Sequence, residues 1–372
     1  MIESGLTDRL AHYISDFYRD LSRVNLKKWN YEDGCILIAS TQLYQATGKE
    51  VFKSFVLAYL EQFIGSDGAI RSYVQADYNL DNIAPGRALL FAYEQTGNPK
   101  YKAAADRLWE QLAGQPRTQA GNFWHKKIYP HQVWLDGLFM AQPFYMAYDT
   151  VFGRKNHYSD IVGQFANVRE LMFDQKAQLY YHGYDETRSV FWADAATGCS
   201  PNFWLRAIAW YHMALVDTLH AMSQEVFEDY MQLASLYKEG IRGLLPYQDP
   251  ESGLFYQLVD HKDTVGNYLE TSGSAMIAAS ILKACNLRVL LREKYWKTGE
   301  EILSALLARK LVESDGRLVL KDTCQVAGLG PADNRRRDGS IAYYLSEPVK
   351  TDDNKGVAAL FMAYAQYLLG RR

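Results

Sequence analysis

The chain is poor in the features that usually announce a compartment or a cofactor. It has four cysteines in 372 residues, Cys35, Cys199, Cys285 and Cys324. They lie far apart and form no C-x-x-C pair, which argues against a zinc or dithiol motif. No run of about 18 apolar residues is present, so no membrane-spanning helix and no membrane partner are expected. The opening Met1-Ile2-Glu3-Ser4-Gly5 leads into a polar amphipathic segment, without the apolar core of a leader. These absences together give the expectation of a reduced, soluble, cytoplasmic protein.

Neither sign of charge dominates. Lys and Arg number 40 against 43 Asp and Glu, a formal net charge of -3. Phosphate binding wants clustered cations, so no nucleic-acid partner is expected. The short run Arg335-Arg336-Arg337 reads as a solvated loop. There is no G-x-S-x-G, no H-E-x-x-H and no P-loop. His125 and His131 are six apart in a loop with no third obvious ligand, so no metal site is expected. No linker rich in Pro, Gly or Ser divides the chain, and 1–372 reads as a single domain.

What is abundant is aromatic. The chain has 27 Tyr, 16 Phe and 8 Trp. Such an excess serves core packing or sugar stacking, and composition alone favours packing. The apolar periodicity is helical nearly throughout. Helices are expected over 7–21, 35–46, 51–63, 84–96, 99–113, 137–150, 202–222, 226–242, 273–289, 294–310 and 356–369. Pro99 marks one start. Short strands are expected near 69–74, 178–182, 254–258 and 317–320, each as one arm of a small loop hairpin. A unit also recurs: a loop with "DG" or "SG" passes through aromatic and polar residues into an apolar helix, at 66–97, 251–284 and 314–369. A dozen helices in six hairpins can close into a double ring, burying the apolar faces an open array would expose. The polar loops would then gather at one mouth, where a rigid scaffold holds binding residues.

Two carboxylates stand out. Asp81 lies in "YNLDNIAPGRALLFAY" and Asp136 in "HQVWLDGLFMAQPFYMAY". Each follows an aromatic residue and a Leu and precedes an apolar helix. Helix capping is one reading of an Asp in that place. A shared acidic site is the other. A helix N-terminus lowers a carboxyl pKa, whereas burial beside Trp134, Leu135 and Phe139 and a second carboxylate nearby raise it. The expectation is a site shared by Asp81 and Asp136, with Asp136 keeping its proton as the donor. Lys126, in "WHKK", is a candidate for an anionic substrate group. His182 sits between tyrosines in "YYHGYDET". Arg206 and Trp210 are four apart in "NFWLRAIAWYHMAL" and share a helical face, with Trp204 just before them. An arginine there should be exposed or have an anionic partner, and its fork suits a carboxylate. Trp210 would offer a stacking face.

These stretches, with "ETSGSAMIAASILKA" and "TDDNKGVAALFMAYAQYLL", resemble in content and order the unsaturated rhamnogalacturonyl hydrolases of glycoside hydrolase family 105, with the family 88 unsaturated glucuronyl hydrolases as cousins. The likeness runs from about residue 30 onward. It implies an all-α fold, an (α/α)6 barrel with a few short β-hairpins in its loops. It also implies removal of a 4,5-unsaturated uronic acid from the non-reducing end of an oligosaccharide. Carried over by position, the acid/base Asp falls on Asp136 and its partner on Asp81. Substrate contacts fall on Lys126, Trp134, His182, Trp204, Arg206 and Trp210. A W-x-Y-x-x-G pattern matches Trp29, Tyr31 and Gly34 and adds Tyr31. Glu32 departs from the polar aromatic often found at its position, which bears on subsite preference. The implied chemistry needs no metal or organic cofactor. The partner would be a small oligosaccharide with rhamnose, sulfated rhamnose or an N-acetylhexosamine after the uronate, as monomer or dimer. The alternatives are another toroidal carbohydrate enzyme (an epimerase or a conventional glycosidase) and a sugar-binding toroid without catalysis.

Overall fold

A computed structural model of the chain describes residues 2–19 and 21–372. Met1 of the opening segment and residue 20 of the expected helix 7–21 lie outside the described residues. Thirteen α-helices follow in chain order: α1 (Ser4–Phe17), α2 (Tyr31–Thr47), α3 (Glu50–Phe63), α4 (Gly86–Thr96), α5 (Pro99–Gly114), α6 (Leu135–Val151), α7 (Tyr158–Met172), α8 (Leu205–Ala221), α9 (Phe227–Leu244), α10 (Thr271–Asn286), α11 (Arg292–Arg309), α12 (Ile341–Ser346) and α13 (Asn354–Leu369).

Burial sorts them into two rings. Helices α6, α8, α10 and α13 are buried along nearly their whole length, whereas α5, α9 and α11 bury a stripe. A helix apolar all round belongs inside, and an amphipathic one belongs at the surface. The inner helices pack in the order α2, α4, α6, α8, α10, α13, and α13 returns to α2. The ring is closed. The outer helices bridge it: α3 packs on α2 and α4, α5 on α4 and α6, α11 on α10 and α13, and α1 against α11. This is the expected (α/α)6 barrel.

The helix forecast missed α7. Its apolar stripe, Ile161, Phe165, Val168 and Met172, is buried. What it lacks is a start signal, since His157 gives no side-chain cap, and Gly163 lowers its helix propensity. Two of the expected strands form: Leu179–Tyr180 pairs with Phe173–Asp174, and Arg317–Leu320 with Leu311–Ser314. Near 69–74 and 254–258 there are only isolated bridges, Ile64 to Ile70, Tyr256 to Leu269 and Leu258 to Trp204. Two further pairs arise from distant segments, Gln132–Trp134 with Gly183–Asp185 and Thr323–Cys324 with Val349–Lys350.

These cross-pairs fix the loops at the inner-helix N-termini. The first amides of a helix have no intrahelical acceptor. Here crossing segments provide one. Leu135 N donates to His182 O at 3.1 Å, Leu205 N to Gln257 O at 2.9 Å and Thr271 N to Asp322 O at 3.0 Å. Among the described residues no helix is long and apolar enough to cross a membrane.

Candidate active site

Six inner-helix N-termini open on one mouth, and the candidate residues sit there. Trp134 and Trp204 occupy equivalent positions. Each is the extended residue before a helix, followed by Leu at its first position and a charged residue, Asp136 or Arg206, at its second. Neither Asp is the residue that caps its helix. Asp81 lies inside the 3-10 turn Leu80–Asn82, whose cap is Asn79, with Oδ1 accepting from Asp81 N at 3.0 Å. Capping therefore does not account for these two side chains.

Asp81 is held by one cation and lies near an imidazole. Its Oδ2 accepts from Lys126 Nζ at 2.5 Å, and its Oδ1 is 3.7 Å from His125 Nε2. Asp136 is held differently. Its Oδ2 lies 3.2 Å from His182 Nε2, close enough to share a charge but off the line of a well-aligned hydrogen bond. His182 is fully buried, and its Nδ1 is 2.7 Å from Tyr344 Oη. His125 Nδ1 has no partner either. The charges of both carboxylates reach His125 and Lys126, so Asp81 and Asp136 lie on the same side of this mouth.

Aromatic rings build the walls. His125 stacks on Trp134 with ring centres 4.4 Å apart, and Trp134 meets the His182 ring edge-on at 5.6 Å. His182 lies 4.8 Å from Trp204, which stacks on Tyr344. Gly137 permits the close approach of the His125 loop, since a Cβ there would sit 3.1 Å from His125 Nδ1 and 3.2 Å from Leu80 Cδ1.

The expected pKa of Asp136 is corrected. Burial pushes it up, as its apolar neighbours imply. The charge and contact of His182, then His125 and the local backbone amide, outweigh that and leave it below the ordinary carboxyl value. The charge of Asp81 is spent on Lys126 and does not act as the raising partner. Burial drives His125 down to about 4, so its ring is neutral at pH 7. Tyr31, beside Glu32 and Asp81, is pushed well above its ordinary value, by burial first.

Two expectations about the arginine face change. Arg206 is buried, yet no described carboxylate ion-pairs with it. It donates to the Cys324 and Gln325 carbonyls and to Ser272 Oγ, and its guanidinium lies over the Trp204 ring at 4.9 Å. The nearest acid acts through a relay: Ser272 Oγ donates to Glu270 Oε1 at 2.7 Å, which also accepts from Cys324 N. Backbone carbonyls on a closing loop have replaced the expected carboxylate. Trp210, one turn deeper, spends its stacking face on Phe139, with ring centres 4.3 Å apart. It is part of the floor of the bore. Tyr31 stands at the start of α2, with Lys355 Nζ 6.0 Å from its ring centre and bonded to Glu32 at 2.6 Å.

His125, Tyr344 and Glu270 belong to this mouth and were absent from the expected site. His125 had a visible signal, the cluster around Lys126. Tyr344 had none, since it reaches His182 across 162 residues.

Comparison with known proteins now bears on this mouth. The sequence profile of Glycosyl Hydrolase Family 88 matches residues 6–369. A solved glycoside hydrolase of family 105 from C. acetobutylicum ATCC 824 is 36% identical, covers 97% of this chain and 98% of that one, and superposes with a TM-score of 0.89. The chain is a glycoside hydrolase of families 88 and 105. Protein Atu3128 of Agrobacterium fabrum is 39% identical over 234 residues, 62% of this chain and 99% of that protein. The unsaturated rhamnogalacturonyl hydrolase YesR of Bacillus subtilis is 26% identical over 296 residues, 78% of each chain. Among the described residues of this hydrolase, no three His, Cys, Asp or Glu side chains gather as a metal site would require.

Proposed function

We propose that this glycoside hydrolase removes a 4,5-unsaturated galacturonate from the rhamnose of a lyase-generated oligosaccharide, with Asp136 as acid and then base. The observation that carries the reading is the contrast between the two acids. Asp81 is clamped by Lys126. Asp136 has no such clamp: its Oδ2 lies 3.2 Å from His182 Nε2, and neither atom has an aligned partner. Polar atoms buried without partners are costly unless a ligand completes them.

The substrate carries a C4=C5 vinyl ether beside a carboxylate. Asp136 gives its proton to C4, and positive charge builds at C5 and the ring oxygen. Water adds at C5 and returns a proton to Asp136. The resulting hemiketal opens to a ketone at C5, and the hemiacetal left at C1 releases the next sugar. This differs from ordinary glycoside hydrolysis, where two carboxylates act at the anomeric carbon. Burial raises the resting carboxyl of Asp136, and the contacts of His182, then His125 and the local amide, outweigh it. The arriving uronate brings a like charge and displaces water, and both raise the carboxyl. His182, held by Tyr344, orients the Asp136 carboxyl. Asp81 faces the developing cation, and Lys126 holds Asp81 in place. The rings of Trp134 and Trp204 wall the sugar, Tyr31 and Arg206 contact its polar groups, and Trp210 supports the floor from below. Residues 1–372 act as one catalytic domain. The four cysteines are free and buried, which fits a reducing cytoplasm.

The test is the ultraviolet absorbance of the conjugated double bond in lyase-generated oligosaccharides whose unsaturated galacturonate is linked to rhamnose. The wild type should abolish it and Asp136→Asn should leave it. Equal cleavage of saturated oligosaccharides would replace this reading with a conventional glycosidase. Tight binding without absorbance change would make the protein a sugar-binding toroid. The distant likeness to YesR supports rhamnose as the next sugar, and a panel of ulvan, glycosaminoglycan and pectin digests decides it.

A further inference from the structure

The opposite mouth of the barrel contains a cavity of about 610 Å³, within the range of about 300–1,000 Å³ typical of small-molecule sites. Five inner helices line it. The Phe139–Trp210 pair, both buried, lies between it and the catalytic mouth, and the Arg87 guanidinium lies 5.6 Å from the Phe139 ring on the far side.

An ion cluster sits in its wall. Asp217, fully buried on α8, accepts from Arg87 Nη2 of α4 at 2.7 Å and from Lys283 Nζ of α10 at 2.6 Å. The side chains of Arg87 and Lys283 are 16% and 5% exposed, so two cations meet one anion almost out of water. The cluster carries one uncompensated positive charge, which is expensive in a wall of low polarisability. Two buried donors on lining residues have no partner: Arg87 Nη1 and Gln42 Nε2. Gln42 Oε1 is already used by Gln366. Leu90, Phe91, Pro143 and Phe152 supply apolar wall, and Thr41, Gln45, Tyr93, Glu94 and His220 a polar rim. Lys283 first, then burial, drives His220 down to about 4, so it adds no positive charge at neutral pH. Glu94 is exposed at the rim and does not ion-pair with the cluster.

We propose that this second mouth is a binding site for a small hydroxylated monocarboxylate, of the size of a sugar acid, whose carboxylate meets the guanidinium of Arg87 in the cavity wall. One negative charge neutralises the cluster, and the planar guanidinium edge suits a carboxylate. A bare inorganic anion would meet the guanidinium and leave most of the cavity empty. The site uses no residue of the catalytic mouth, so it stands whether or not the proposed hydrolysis is right.

The experiment is calorimetric titration of the full chain with D-galacturonate, with propionate and chloride as separate arms. Galacturonate should bind, propionate more weakly and chloride weakest. Arg87→Gln should weaken galacturonate binding at least tenfold. Because that variant disturbs Asp217, Ala147→Phe provides the second test: it fills the cavity from α6 without touching the charges. It should abolish binding while thermal unfolding stays cooperative and turnover of the double bond persists. Galacturonate binding unchanged in Ala147→Phe would overturn the proposal and place the ligand elsewhere. Chloride binding as tightly as galacturonate would overturn it too, leaving a generic anion site.

Discussion

The two mouths of the barrel are built from the same inner helices and solve opposite problems. At the N-terminal mouth, helix dipoles supply partial positive charge, and the side chains there are carboxylates, neutral imidazoles and aromatic walls. Cations are present but pinned, Lys126 by Asp81 and Arg206 by loop carbonyls. At the C-terminal mouth the dipoles are negative, and the side chains compensate with Arg87 and Lys283 around Asp217. The first mouth leaves a carboxylate under-partnered, as proton transfer requires. The second ties its carboxylate down twice. The lesson is that a buried Asp is a reagent or a rivet according to how many cations hold it.

The sharpest way to break this comparison is to neutralise each acid in turn. Asp136→Asn should lower turnover by about 10²–10⁴-fold, the range of a lost general acid, while urea unfolding stays cooperative. A wild-type rate in that variant removes Asp136 from the chemistry. Asp217→Ala should do the reverse. Two buried cations lose their anion, at a cost of about 3–5 kcal/mol, read as a lower urea midpoint, and turnover per folded molecule should hold.

Acid separates the mouths next. The fold depresses His125 to about 4 from an ordinary 6.5, so it favours the neutral ring. Stability from this source is complete above pH 6.5 and is lost as pH falls from 6.5 to 4, by up to about 3 kcal/mol. Asp217 is depressed to about 2 from 3.8 by Arg87 and Lys283, against its burial. Its share is complete above pH 3.8 and is lost only as pH falls toward 2. His220, exposed at its rim, is screened by solvent and adds little. Unfolding midpoints from pH 7 to 4 should fall in the wild type and flatten in His125→Gln. An unchanged slope in that variant would show that the acid sensitivity resides elsewhere. The smallest effect is expected from Lys126→Met, which frees Asp81. Losing one charge-assisted bond of about 1.5 kcal/mol should lower kcat/KM about tenfold.

Much of the catalytic mouth was legible because it is written locally. Asp81 stands a few residues before an apolar helix and Asp136 in the first turn of one, each after Leu and an aromatic residue, and the ring closure follows from all-round apolar helices such as α8 and α10. What failed to read locally is what depends on distant partners. The direction of the Asp136 shift turns on His182, which enters through a loop 46 positions away. The role of Trp210 turns on Phe139 of another helix. The Asp217 cluster joins three helices that share no motif, and α7 escaped because an amphipathic stripe without a cap is a weak local signal.

The sequence by itself determined the helical period and the closure into six hairpins, with the inner-helix starts placed to within two to four residues, because side-chain direction along a helix is fixed by 3.6-residue geometry. Only the tertiary structure decided how each charge is partnered, that the Trp210 ring is a floor, and that the barrel is hollow at its second mouth. Electrostatics and packing depend on distance between groups remote in the chain, and no local pattern encodes that distance.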